Sequence, residues 1–103
     1  MKNPMRPIHP GEILREELAA LGLSANAFAK ALAVPTNRIT GILNGVRAVT
    51  AETALRLSRY FGTSAALWMN LQLDYDLKMA ERAHAGRINR DVKPRPGTRS
   101  LAA

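Results

Sequence analysis

SANAFAKALAVPTNRITGILN, residues 24–44, decides the fold. It reads as two short helices joined by a tight turn, the second offered to solvent. Ser24 is a candidate N-cap, its hydroxyl placed to accept from a first-turn amide. Phe28, Ala29 and Leu32 follow at spacings of one and three, forming one apolar stripe. Pro35 pushes the residue before it towards extended geometry, so Val34 belongs to the turn. Thr36 then opens a second helix whose apolar members are Ile39, Ile42 and Leu43.

Projected at about 100° per residue, those three side chains cluster on one side and form the buried face. Opposite them lie Asn37, Thr40, Gly41 and Asn44, short uncharged donors and acceptors around a glycine. Gly41 costs about 1 kcal/mol relative to alanine in a helix interior, and it leaves room for close approach to a groove floor. These are the properties of a helix that reads the major groove. Asn37 and Asn44 are the first choices for base edges, because an Asn amide can bond adenine N6 and N7 together. Thr40 suits a thymine methyl. Arg38 on the flank, Arg47 just past the helix and the amide end at Thr36 suit phosphates. A free surface arginine is the alternative for Arg47.

The whole chain holds 103 residues, enough for one domain with a modest core. Its fifteen Lys and Arg against eight Asp and Glu give a net charge of +7, which favours a polyanionic partner. Residues 1–85 carry ten basic and seven acidic side chains, residues 86–103 five and one, so over half the excess sits in a short tail. There is no cysteine, hence no disulfide framework or thiolate metal site. No apolar run approaches the ~20 residues of a membrane span, and no apolar signal stretch precedes Pro10. The expectation is a soluble cytoplasmic protein without membrane contact, cofactor, metal or small-molecule substrate.

Residues 1–9, with Lys2, Arg6 and His9, form a proline-interrupted arm, either an extended lead-in or a docking strand. Pro10 suits the first turn of a helix reaching about Leu21, with Ile13, Leu14, Leu18 and Leu21 inward and Gly22 as a left-handed cap. Glu12, Glu16 and Glu17 favour its N-terminal half through the helix dipole. Asn44-Gly45 ends the reading helix. Thr50 caps a fourth helix ending at Phe61-Gly62, with Ala54, Leu55, Ser58 and Phe61 inward and Arg56 and Arg59 on a solvated face. Ser64 starts a fifth helix reaching Met79 or slightly beyond. Leu67, Trp68, Leu71 and Tyr75 fall on one side of it, with Trp68 a core anchor. Met69, Leu73, Leu77 and Ala80 form a second stripe, a candidate dimer interface unless the arm and tail cover it. Residues 86–103, with Arg87, Arg90, Lys93, Arg95 and Arg99, read as a flexible basic tail that tracks phosphates, meets an acidic partner or simply aids solubility.

Catalytic machinery is missing from the sequence. His9 and His84 stand far apart and read as surface imidazoles. No phosphate-binding glycine loop or nucleophile elbow occurs, and the three glutamates of the first helix have no nucleophile beside them.

The spacing of Ala29, Ala33, Val34, Ile39 and Ile42 resembles the helix-turn-helix of the Cro/C1 (XRE) repressor class. The run from Arg6-Pro7-Ile8-His9-Pro10-Gly11-Glu12-Ile13-Leu14 to Trp68-Met69-Asn70-Leu71-Gln72 is similar to HigA-type antitoxins. Two positions depart from the pattern: Ala33 stands where the turn usually has Gly, and Ala25-Asn26 where many relatives carry a phosphate-binding Gln. The resemblance implies an all-α, five-helix, lambda-repressor-like domain over residues 1–85 with an extended basic tail. It further implies an antitoxin that represses its own operon as a homodimer on a palindromic operator and neutralises a RelE-like, mRNA-cleaving HigB-type toxin. A stand-alone repressor, or an adaptor that no longer binds DNA, are the alternatives. A two-fold dimer places its two reading helices one DNA turn apart, about 34 Å.

Overall fold

The computed structural model describes residues 6–97. The charges at Lys2 and Arg99 lie outside them. Five helices follow in order: α1 (Pro10–Leu21), α2 (Ala25–Leu32), α3 (Thr36–Leu43), α4 (Ala51–Phe61) and α5 (Ala65–Asp91). No strand occurs among the described residues.

Helix starts are set by the side chains the sequence offers. The hydroxyl of Ser24 accepts from Ala27 N at 3.1 Å, that of Thr50 from Thr53 N at 3.4 Å, and that of Ser64 from Leu67 N at 3.1 Å. Each satisfies an amide that has no carbonyl partner within its helix. α1 and α2 end alike. Leu23 N reaches back to Leu18 O and Gly22 N to Ala19 O; Val34 N reaches Ala29 O and Ala33 N reaches Lys30 O. This six-to-one and five-to-two pair requires a left-handed residue. Gly22 supplies it at φ 68°, and Ala33 adopts it without being glycine, at φ 58° and ψ 47°.

Leu14, Leu18, Phe28, Ala29, Leu32, Ile39, Ile42, Val49, Ala54, Leu57 and Trp68 form one buried cluster. Phe28, Phe61 and Trp68 run through it as a chain of tilted rings, with centroids 5.8 and 5.7 Å apart. The Trp68 indole donates to Thr63 Oγ1 at 2.9 Å, so the ring is buried without stranding its N–H. α1 meets α3 more closely than side-chain packing allows. A Cβ on Gly11 would lie 1.8 Å from the Ile42 carbonyl oxygen, so only glycine fits there.

Several expectations are corrected. Leu21 is exposed, because the helix end carries it past the core. On α4, Leu55 is 62 % exposed and Leu57 is fully buried; α2 and α5 meet the face carrying Thr53, Ala54, Leu57 and half-buried Phe61. Leu67 is likewise exposed on α5, where Trp68 and Gln72 hold the buried positions. α5 runs on to Asp91, into the first part of the segment read as tail; residues 92–97 are not helical. A lone glycine costs a helix only about 1 kcal/mol, and Gly86 sits among Ala and Arg, which are good helix formers.

His9 is not a surface imidazole. It is buried as the N-cap of α1, with Nδ1 accepting from Gly11 N at 2.9 Å, while the Glu12 carboxylate accepts from His9 N at 3.2 Å. The ring stands edge-on to Tyr75, with centroids 4.9 Å apart. Burial pushes its pKa below 6.5 against the opposing effect of a hydrogen bond to the Arg47 backbone. Arg6 makes two contacts with Glu12, at 2.6 and 2.9 Å. The described part of the arm is therefore pinned to α1.

Candidate nucleic-acid interface

α3 turns Ile39 and Ile42 into the core with Leu43 half-buried, and leaves Asn37 and Asn44 exposed and Thr40 and Gly41 half-exposed. This is the orientation its apolar spacing demands. The exposed face therefore carries two carboxamides and a hydroxyl. The Thr40 hydroxyl donates back to Asn37 O at 3.3 Å. At the other end, Pro35 is the N-cap and no side chain caps α3, so its first-turn amides keep their partial positive charge outward.

The flanks are more occupied than the sequence suggested. The Arg38 guanidinium donates to Glu52 Oε1 at 2.7 Å, and Glu52 Oε2 accepts from Arg56 at 3.0 Å. The Arg56 guanidinium, and after it that of Arg38, hold the Glu52 carboxyl below the usual carboxylate range. Arg56 is no idle surface charge: it donates to Leu32 O at 2.9 Å and so satisfies the C-terminus of α2. Arg38, Glu52 and Arg56 thus tie α2, α3 and α4 together behind the reading face. Arg59 remains exposed.

Gly41 does not serve as an open notch. Added at Gly41, a Cβ would stand 3.1 Å from Arg47 Cβ, and the Gly41 carbonyl accepts from Val46 N and Arg47 N. The close approach is to the chain's own loop, and it fixes the backbone at Arg47 while leaving that residue exposed. Thr36 Oγ1 donates to Asn26 Oδ1 at 2.8 Å, stapling the start of α3 to α2. Asn26, Glu52 and Arg56 were not anticipated as parts of the site, nor was Arg15, which bonds the far end of α3. Glu52 and Arg56 form an i,i+4 pair of opposite charges, but their bonds to Arg38 and Leu32, like those of Asn26 and Arg15, span 10 to 29 residues of sequence and follow no short-range pattern.

On α5, Met69, Leu73, Leu77 and Ala80 lie at spacings of four, four and three, all exposed. Leu73 and Leu77 are 56 % and 55 % exposed, and Met79 and Ile88 add further open apolar surface. Nothing among the described residues covers this stripe. Arg87 and Arg90 project from the helix beyond it, and Lys93 and Arg95 follow its end. Among the described residues no three His, Cys, Asp or Glu side chains gather as metal ligands, and no helix is long and apolar enough to cross a membrane.

A capped helix, a left-handed turn and a second helix with a polar, outward face define a helix-turn-helix module. A family model described as helix-turn-helix matches residues 14–68. Virulence-associated protein I of Dichelobacter nodosus is 61% identical over 82 residues, spanning 79% of this chain and 76% of its own length. An addiction module antidote protein of the HigA family from Coxiella burnetii is 58% identical, with a TM-score of 0.85 over 88% of this chain and 100% of that one. The Pseudomonas aeruginosa antitoxin HigA, solved with the higBA promoter, is 46% identical, with a TM-score of 0.84 over 86% and 98%. The chain belongs to the helix-turn-helix family, in its Cro/C1 (XRE) class, and its structural neighbours are HigA-type antitoxins.

Proposed function

We propose that this protein is a cytoplasmic antitoxin and autorepressor. As a homodimer it binds a palindromic operator through two copies of α3, and it neutralises a RelE-like, mRNA-cleaving toxin of the HigB type. The observation that carries the DNA half is the orientation of α3: apolar side chains inward, Asn37 and Asn44 outward, and an uncapped N-terminus beside them. The toxin half rests on the likeness to HigA proteins.

Asn37 is the leading base contact, while Arg47 and the amides at Thr36 and Asn37 meet phosphates. Arg38 adds a phosphate contact if it exchanges Glu52 for the backbone. Thr40 lies between the two amides and suits a thymine methyl. The stripe Met69, Leu73, Leu77 and Ala80 is the dimer contact. Its exposed leucines are surface that a two-fold partner would bury.

The turn supports DNA binding over a bare adaptor role. Ala33 reaches the left-handed conformation that glycine usually supplies, and the bond from Thr36 to Asn26 holds the two helices in register. Asn37→Ala should lower operator affinity by about 1–3 kcal/mol, concentrated at one base pair. Equal weakening on operator and random DNA would refute that assignment. Co-purification with the product of the adjacent gene, followed by growth rescue, separates an antitoxin from a stand-alone repressor.

A further inference from the structure

α3 is held at its C-terminal end by a side chain from another helix. Arg15, on the exposed side of α1, donates through Nε to the Leu43 carbonyl at 2.9 Å and through Nη2 to Asn44 Oδ1 at 2.6 Å. The first bond satisfies one of the carbonyls that a helix end leaves without a partner. The second is short and charge-assisted. A guanidinium carries donors and no acceptor, so it can face only the oxygen of the Asn44 amide. That chemistry fixes which way the amide is turned: the carbonyl oxygen towards α1, the NH2 group away from it.

A free Asn reads adenine by accepting from N6 and donating to N7 at once. Asn44 has one lone pair of its oxygen committed to Arg15, which turns that oxygen towards α1 and leaves the NH2 group leading as a donor. Its donor can meet guanine O6 and N7, thymine O4 or adenine N7, but adenine N7 stands beside the N6 amino group, a donor that the engaged Asn44 oxygen is not turned to accept. Resting on the proposal that α3 reads DNA, we propose that Arg15 is a specificity-determining positioning residue. It makes Asn44 read as a donor first, selecting a guanine or thymine edge over the two-point contact with adenine.

The test is a binding series in which each base pair of the operator is replaced in turn, measured for the wild type, Asn44→Ala, Arg15→Ala and the double variant. The base pair in question is the one whose selection Asn44→Ala abolishes. At that pair the wild type should prefer guanine or thymine. Arg15→Ala should shift the preference towards adenine by about tenfold, the scale of one two-point base contact. In the Asn44→Ala background, Arg15→Ala should produce no further change in selection. Arg15→Lys, which keeps the charge but not the two-pronged donor, should shift selection in the same direction without altering the salt dependence.

A merely structural Arg15 would lower thermal stability and weaken every operator variant by one factor; that result overturns the inference. So does an Arg15 effect that persists without Asn44, an Asn44→Ala that changes no base preference, or a wild-type preference for adenine. Wild-type protein binding random DNA as tightly as operator would instead sink the DNA-reading proposal itself.

Discussion

Ala33→Gly should stabilise the protein, although it removes a methyl group and adds no contact. Ala33 has φ 58°, the one positive value at a non-glycine among the described residues, and its side chain is exposed. An L-residue in that region costs about 1–2 kcal/mol, while glycine's extra freedom in the unfolded chain returns about 0.4–1 kcal/mol of that. The net expectation is a gain of about 1 kcal/mol, which in a domain of this size raises Tm by roughly 4 °C or slightly more. Gly22 provides the mirror experiment. It has φ 68°, ends α1 with the same pair of backbone bonds, and has nothing within 4 Å of an added Cβ. Gly22→Ala therefore isolates the backbone cost and should lose a similar amount. Calorimetry and urea unfolding with unchanged m-values would measure both. Ala33→Gly should leave operator affinity as it was, since the turn geometry is already in place. If Gly22→Ala destabilises while Ala33→Gly is neutral or harmful, positive φ is not the cost at the turn.

Other perturbations separate local from tertiary effects. Gly11→Ala drives a methyl into the Ile42 carbonyl and should destabilise by roughly 3 kcal/mol, read by urea unfolding. Arg6 holds the Glu12 carboxyl down to about 2 from 4.5, so its stabilising effect is complete above pH 4.5 and is lost as pH falls towards 2. Glu12→Gln should flatten that acid limb. The His9 pKa is lowered from 6.5, so its contribution is complete above that pH and also fades on acidification, beginning earlier. His9→Asn keeps an N-cap acceptor and should remove the earlier part of the slope. Leu73→Glu with Leu77→Glu should turn dimer into monomer in sedimentation, with the monomer's helical content retained; an unchanged mass would refute the α5 interface.

The sequence was most legible where structure is local. Ser24, Thr50 and Ser64 each announced a helix start, Gly22 and Gly62 each announced an end, and the spacing of Ile39 and Ile42 oriented α3. Leu55 and Leu57 show where periodicity failed. Two residues apart, they point to opposite sides of α4, and the packing of other helices chose between them. His9 reads as a surface group in the sequence, yet its spacing to Glu12 has the form of a capping box, with a histidine nitrogen doing what a hydroxyl usually does. Glu52 and Arg56 carry only the i,i+4 pairing of opposite charges, and Arg15 carries no local signal. Each is an ordinary charge on a helix surface until folding brings a carbonyl or another charge within reach. The composition of residues 86–103 reads as tail, yet the helix continues through Gly86 to Asp91, because a helix tolerates one glycine.

Among the described residues α5 is anchored in its first half, by Trp68 in the core, by Gln72, whose Oε1 accepts from Val49 N at 2.8 Å, and by Tyr75 against the His9 ring. Its 27 residues extend about 40 Å, so the remainder stands out as a cantilever. In the proposed dimer, the point where two such arms cross sets the span between the reading heads. Sliding that crossing by one helical turn shifts each arm by about 5.4 Å along its axis while leaving both heads untouched. Operator spacing and base preference would then be adjustable in separate parts of one small chain.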